Sequence, residues 1–481
     1  MMDSGLRRDA VKGVGWAFFS SVSVRLLQIV TTLTLAKLLV PADFGVFALC
    51  SLVIQAIAIF RDMGFSQVLI YRQGSIGKLA NTVFVLNLAF SLVLAIFLFA
   101  SAGLVGKLLS TSQIIWPLRV MSATLLVSGL ANVPLALLDK QLKFKIRAIP
   151  EVAGAFTYAA VSIILAAIHP SSWSLVIGWM SMVAATTIAA WLVTSWRPSM
   201  EFDWGEARVI AGYGKHLMAA SLLGFAFFQI DNASVGKWLG VTALGFYSMA
   251  FTVCNIPATN MAHVVNRVMF PTYSRLQNDL EGMRKVYLST IKYISMASFP
   301  SAIGLFVLSD PIIRTFYHDK WIPAIPLFHV LAFYGLARSI GATPGAVFMS
   351  QGKPDLVRRV SMINLLIAGS LVYPVVKHFG TIGVAVLFTS AYLVGTLYAL
   401  GKVQRLLGMG VLGCLKAVRV SLAASVIAGL AAWLPSSMAN WQAVALGGLA
   451  MGVVYGGSVH LLDRSAFKEM KALLSKSRGS A

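Results

Sequence analysis

Ala36-Lys37-Leu38-Leu39-Val40-Pro41-Ala42-Asp43-Phe44-Gly45-Val46-Phe47 returns two hundred residues later as Gly236-Lys237-Trp238-Leu239-Gly240-Val241-Thr242-Ala243-Leu244-Gly245-Phe246-Tyr247. Lys37, Leu39, Gly45 and Val53 recur as Lys237, Leu239, Gly245 and Val253, and Gln55 falls opposite Asn255. A fixed offset of this kind marks a duplicated unit. A second echo has nearly the same spacing: Pro134, Gln141 and Lys143 are matched by Pro344, Gln351 and Lys353, an offset of 210 (353 − 143). Chance likeness between apolar segments is the competing explanation, but two independent matches at almost one offset are harder to obtain by accident.

Composition says what kind of chain is duplicated. Hydrophobic residues make up 58%, charged residues only 12%, and the mean hydropathy is +0.79. A soluble globular domain carries about 25% charged residues. Apolar runs of roughly 20 residues, each able to cross about 30 Å of hydrocarbon as a helix, fill the length, and the alternation of a β-barrel is absent. The pattern predicts an all-α polytopic membrane protein with about fourteen spans, at 14–36, 44–68, 79–103, 115–138, 149–168, 173–195, 217–236, 243–268, 289–309, 325–349, 360–376, 381–401, 415–434 and 442–462. The first run is too long for a signal-peptide core and carries Arg25 at its middle, so it reads as a mature helix.

A net charge of +22 would point to nucleic acid in a soluble chain. Here membrane orientation accounts for it and no nucleic-acid partner is expected. With the N-terminus inside, and with Lys292, Lys416 and Arg419 at inner span ends counted inward and Arg119 at an outer span end counted outward, 28 of the 39 Lys and Arg are inward and 7 outward, leaving Arg25, Arg61, Arg267 and Arg338 within spans. That is the positive-inside asymmetry of short loops, and it places both termini in the cytoplasm. Residues 196–216, with Glu201, Asp203 and Glu206, form the longest polar interruption. They read as a cytoplasmic linker, either an amphipathic interfacial helix or a solvated segment. The expected organisation is a six-helix lobe over 1–195, this linker, a second six-helix lobe over 217–401, two added helices over 402–462 and a cytoplasmic tail over 463–481. Six helices separate equivalent positions, an even number, so the repeats are parallel.

Charged and amide groups are costly inside a bilayer and usually face a cavity or a partner. Four helices concentrate them. In the first, Ser21, Arg25, Gln28 and Thr32 lie on one face. The second carries Ser51, Gln55 and Asp62 in line, with Arg61 beside them, near an end where arginine can snorkel to the interface. Gln229, Asp231 and Asn232 cluster in the seventh. The eighth bears Thr252, Asn255, Thr259, His263 and Asn266 on one face, followed by Arg267, with a kink expected at Pro257. Together these four helices read as the lining of a hydrophilic cleft. Arg25 and Arg267 supply planar donor forks suited to phosphate oxygens, which favours an anionic substrate head. Arg25 also has a structural reading, as an ion-pair partner of Asp62 or Asp231, and those two acids read as helix-pairing or coupling groups. His263 reads as a packed polar residue more readily than as a proton relay.

Catalytic constellations are missing. The seven histidines are scattered, and HExxH, GxSxG and phosphate-cradling P-loop patterns are absent. Cys50, Cys254 and Cys414 all fall within predicted helices, which leaves neither a disulfide framework nor metal spacing. The chain therefore reads as a transporter rather than an enzyme, with no metal and no cofactor.

The order of motifs resembles a known family. Leu35 to Gly45, Asp62-Met63-Gly64-Phe65, Gly240 to Tyr247, Arg267 to Pro271, Ser274-Arg275-Leu276, Lys320 to Ala324, Gly352-Lys353-Pro354-Asp355 and Gly380 to Ala385 are similar to bacterial Wzx-type oligosaccharide flippases. The likeness is to the polysaccharide exporter branch related to colanic acid and teichuronic acid exporters. It covers residues 10 to 400 or so and fades beyond. It implies the multidrug, oligosaccharidyl-lipid and polysaccharide exporter superfamily: two six-helix lobes in a V, with two further C-terminal helices in some members. It also implies the bacterial inner membrane, a polyprenyl-diphosphate-linked oligosaccharide as substrate, alternating access as mechanism, and exopolysaccharide, capsule or lipopolysaccharide biosynthesis as purpose. By that resemblance Arg25 and Arg267 hold the diphosphate, while Gln28, Gln55, Asn255, Thr259, His263 and Asn266 contact the remainder. Other polysaccharide assembly proteins are further expected partners. A cation-coupled drug or metabolite antiporter of the same superfamily and a membrane glycosyltransferase or polymerase are the competing functions.

Overall fold

Three residues fix the start of the helix that begins within the first repeat. Pro41 occupies the first helical position, where its missing N–H costs nothing, and the Val40 N–H donates to Asp43 Oδ2 at 3.1 Å, half of a capping box. At the second repeat the chain turns differently. Gly240 adopts φ 86° and ψ 175°, a left-handed conformation that a side chain resists, and bends one long helical element in place of a loop.

The computed structural model describes residues 24–62, 65–71, 76–141, 143–199, 201–265, 269–437 and 440–463. The helices are α1 (24–38), α2 (Pro41–Asp62), α3 (Phe65–Tyr71), α4 (Ile76–Leu108), α5 (Ile115–Lys140), α6 (Phe144–Ile168) and α7 (Ser172–Val193). They continue with α8 (Trp204–Val264), α9 (Phe270–Arg275), α10 (Leu280–Ile312), α11 (Ile325–Ser350), α12 (Pro354–Leu406), α13 (Val411–Trp433) and α14 (Asn440–Leu462). Among the described residues eleven segments are long and apolar enough to cross a membrane. The 53-residue α12, one of those eleven, bends at Gly380 (φ 59°, ψ −150°) where two spans and a short loop are expected. Of the first expected span, residues 14–23 lie outside the described residues and 24–36 fall in α1.

The expected seventh span is not set off from the linker before it. Asp203 Oδ1 accepts from the Gly205 and Glu206 backbone N–H groups at 2.7 and 3.1 Å, so α8 starts at Trp204 and runs unbroken to Gly240. The acids that mark a boundary in the sequence are its N-cap and first turn, where negative charge is favoured.

The chain divides into two compact units, 1–245 and 246–481. In the first, α4 packs on α5 and α6 on α7, with α5 also against α2, α3 and α7. Phe65, Leu69, Val83, Phe84 and Leu137 form one core cluster, and Leu35, Leu39, Ala166 and Leu175 another. Two repeat positions make the tightest backbone approach. A Cβ at Gly45 would collide with the Val241 carbonyl oxygen, and a Cβ at Gly245 with that of Pro41. The two contacts exchange equivalent residues, since 41 and 45 correspond to 241 and 245. Gly45 and Gly245 are thus contact points between helix starts, a use of small residues common where membrane helices pack closely.

In the second unit α10 and α12 pack on α11, while α13 and α14 pack on each other and on α10. Tyr455 of α14 donates to the Met296 carbonyl at 2.8 Å, and Lys292 pairs with Asp463 at 2.8 Å. These bonds tie α14 and the residue that follows it to α10. The second sequence echo becomes one repeated turn: Lys143 N–H donates to Leu138 O at 3.1 Å, and Lys353 N–H to Phe348 O at 2.8 Å. Outward-facing positions are apolar, as with Val93, Ile96 and Leu104 of α4 or Leu366 and Leu397 of α12, the surface a helix presents to lipid.

Candidate functional site

Within the first unit, α1 carries Arg25 half-buried and Gln28 exposed, and Gln55 is exposed on α2. The inner end of α2 is built differently. Arg61 is only 7% exposed. Its guanidinium pairs with Asp62 at 2.7 Å, donates to the Leu125 carbonyl at 3.3 Å and reaches Ser128 Oγ, and Asn132 Nδ2 donates to Asp62 Oδ1 at 3.1 Å. Arg61 therefore turns inward instead of snorkelling, because α5 presents a carbonyl and a hydroxyl at its level. Arg61 and Asp62 together clamp α2 to α5.

Asp231 is buried on α8, 2% exposed. Its Oδ1 accepts from the Asn232 backbone N–H at 2.7 Å and from Asn232 Nδ2 at 3.3 Å, and Asn232 Nδ2 also lies 3.1 Å from Gln229 Oε1. A carboxylate held by amide donors keeps its charge at lower cost than a bare one.

The second unit contributes a polar and aromatic cluster on the later arm of α8. Asn255, 5% exposed, uses its Nδ2 on the Phe251 carbonyl at 3.1 Å and turns its Oδ1 to Arg338 Nη1 at 2.9 Å. Thr259 donates to the Asn255 and Ile256 carbonyls at 3.2 and 3.0 Å, so its hydroxyl proton is directed to its own helix. Phe251, Tyr334 and Tyr392 form a ring chain beside them, with centroids 5.4 and 5.3 Å apart. His263 sits at a helical position, its side chain outside the described residues, as are Asn266 and Arg267 entirely.

Arg338 is the site residue that the sequence reading does not single out. It stands alone in the apolar run Ile325–Ser350, with no stripe of polar neighbours on its own helix to draw attention to it. The available signal was its charge alone: an arginine in mid-span is functional by default. Among the described residues no group of three His, Cys, Asp or Glu side chains is placed to hold a metal.

Long apolar helices, a duplicated turn and arginine clusters at Arg61 and Arg338 describe a multi-pass membrane protein. The chain belongs to the polysaccharide biosynthesis protein family, whose model matches residues 34–326. It is 24% identical to the teichuronic acid biosynthesis protein TuaB of Bacillus subtilis (strain 168), covering 79% of each chain. It is 21% identical to the lipopolysaccharide biosynthesis protein WzxC of Escherichia coli (strain K12), covering 82% of this chain and 80% of that one. In fold it is similar to the lipid II flippase MurJ in an inward closed conformation, with a TM-score of 0.72 at 16% identity over 94% of this chain and 99% of that one. An inward-facing multidrug resistance MATE family transporter of the MOP superfamily gives a TM-score of 0.66 at 15% identity, over 80% and 94%.

Proposed function

We propose that this chain is a flippase that carries a polyprenyl-diphosphate-linked oligosaccharide from the cytoplasmic to the outer leaflet of a bacterial inner membrane, for polysaccharide biosynthesis. The observation that carries the reading is the fixed positive charge held in mid-membrane by hydrogen bonding, Arg338 on Asn255, in a chain of a polysaccharide biosynthesis family. A guanidinium is a planar fork of N–H donors, a geometry that suits phosphate oxygens. Arg25 and Arg267 are the further cations that the sequence assigns to the diphosphate. Amides and hydroxyls at Gln28, Gln55 and Thr259 suit a glycan, and the prenyl chain stays in lipid. Both termini are assigned to the cytoplasm by the distribution of Lys and Arg, and the transport step is assigned to alternating access rather than to any covalent chemistry.

One observation favours a second reading. Asp231 is a buried carboxylate, the kind of group a cation-coupled antiporter uses, and the fold is shared with a multidrug transporter as well as with a flippase. Profiling lipid-linked intermediates in a strain lacking this chain separates the two. The flippase predicts that complete lipid-linked oligosaccharide accumulates on the cytoplasmic side, whereas normal lipid profiles with increased sensitivity to small toxic compounds support the antiporter.

A further inference from the structure

The repeated turn ending at Lys143 in one unit and Lys353 in the other is followed by different electrostatics. After Lys143, Arg147 is neutralised by Asp139 at 3.3 Å and Glu151 at 2.9 Å. After Lys353, the chain opens a cavity of about 420 Å³ whose walls carry Lys353 and Arg359 from the start of α12 and Lys402 and Arg405 from its end, over Leu356 and Leu406. The one acid lining it, Asp355, is held by Arg358 at 3.2 Å. Lys353, Arg359 and Arg405 make no side-chain hydrogen bond or ion pair among the described residues, and Lys402 lies over the Tyr398 ring at 5.4 Å. At the offset of the repeated turn, Arg359, Lys402 and Arg405 correspond to Ile149, Leu192 and Ser195. These three cations therefore belong to one copy of the duplicated element only, so packing shared by both copies does not require them.

Two further features specify the ligand. The C-terminal end of α12 would repel an anion, since its last carbonyls are unpaired, but Arg284 donates to Leu407 O at 3.1 and 2.7 Å and to Gly408 O at 3.1 Å and offsets that negative end. Along α12, Arg359 is followed on the same face by Met362 and Leu366, 53% and 65% exposed, at i+3 and i+7. On the other arm Lys402 is preceded by Tyr398 and then Val394, 46% exposed, at four-residue steps. A cationic cup continued by bare apolar stripes suits a phosphate with hydrocarbon attached rather than a soluble anion.

We propose that this cup is a binding site for the phosphate headgroup of an anionic membrane lipid, whose tails lie along the exposed stripes of α12. The site is on the charge-rich face that the Lys and Arg distribution assigns to the inner leaflet, and it stands independently of the cations assigned above to transport. Resident anionic phospholipid and the polyprenyl diphosphate carrier share this chemistry.

Full-length protein in phosphatidylcholine nanodiscs, titrated separately with cardiolipin, undecaprenyl diphosphate and inorganic pyrophosphate, tests the proposal by native mass spectrometry and thermal melting. The parent should retain at least one of the two lipids and melt higher with it, and which lipid does so identifies the source. The triple variant R359Q/K402Q/R405Q should retain it more weakly by a factor on the order of a hundred, from three near-surface cations. In phosphatidylcholine alone its melting should equal the parent's, which shows that it folds, and Lys285→Gln on α10 should bind like the parent. Equal lipid retention by parent and triple variant, or pyrophosphate retained as well as the lipids, would overturn the proposal. So would an equal loss on Lys285→Gln, which would mean general surface charge.

Discussion

An arginine at the centre of a spanning helix costs roughly 2.5–3.5 kcal/mol on insertion scales, so a chain that keeps Arg338 there must recover that cost. The 2.9 Å bond to Asn255 Oδ1 recovers part of it and fixes the direction of the fork. A hydrogen bond involving a charged group is worth about 1.5–3 kcal/mol. If that fork contacts substrate phosphate, Arg338→Ala should lower transport about 10- to 100-fold, with Arg338→Lys intermediate because a point donor replaces the fork. Initial rates in proteoliposomes measure this. Unchanged rates would make Arg338 a purely structural partner of Asn255. The clamp at Arg61 behaves differently. Arg61→Ala leaves Asp62 and Ser128 without their buried donor and should cost about 1–3 kcal/mol of stability, read as a lower melting temperature in detergent. Loss of transport at unchanged melting temperature would contradict its assignment as a clamp.

Among elements, the two sequence echoes describe two physical contacts. The turn at Lys143 and Lys353 repeats as a hydrogen-bonding pattern, and the Gly45–Gly245 echo repeats as a reciprocal pair of backbone approaches. Overpacking such a contact costs about 1–3 kcal/mol. Gly45→Ala and Gly245→Ala should therefore each lower the melting temperature, whereas Gly448→Ala, whose Cβ would meet nothing within 4 Å, should leave it unchanged. Equal effects at all three positions would show that helicity, not close approach, sets the response. Most elements were legible because apolar runs of spanning length announce themselves. The junctions were less so. Polarity at 196–216 reads as a linker, yet Asp203 caps a helix that continues through it. Lys377 to Gly380 reads as a loop, yet Gly380 alone turns α12. Polar stripes on α1, α2 and α8 were visible through their periodicity. Arg338 was not, because its partner lies 83 residues away and a contact that distant leaves no local pattern.

At the scale of the whole molecule the charge distribution is proposed to set orientation, and the substrate proposed for the chain is an anion moved outward. With the inside negative, that movement is favoured by about 2.3 kcal/mol per charge per 100 mV. An imposed potential, negative on the side the cargo leaves, should accelerate translocation, and the reverse polarity should slow it. Rates in valinomycin-clamped vesicles distinguish this from electroneutral exchange, in which polarity has no effect. The most direct measurement of the central claim is translocation itself. The purified chain, reconstituted with a labelled polyprenyl-diphosphate-linked oligosaccharide, should make the label accessible to an impermeant glycosidase on the opposite leaflet faster than empty vesicles do, and Arg25→Ala should reduce that gain. Accessibility no faster than in empty vesicles would contradict the flippase. Undiminished translocation by Arg25→Ala would remove Arg25 from the mechanism.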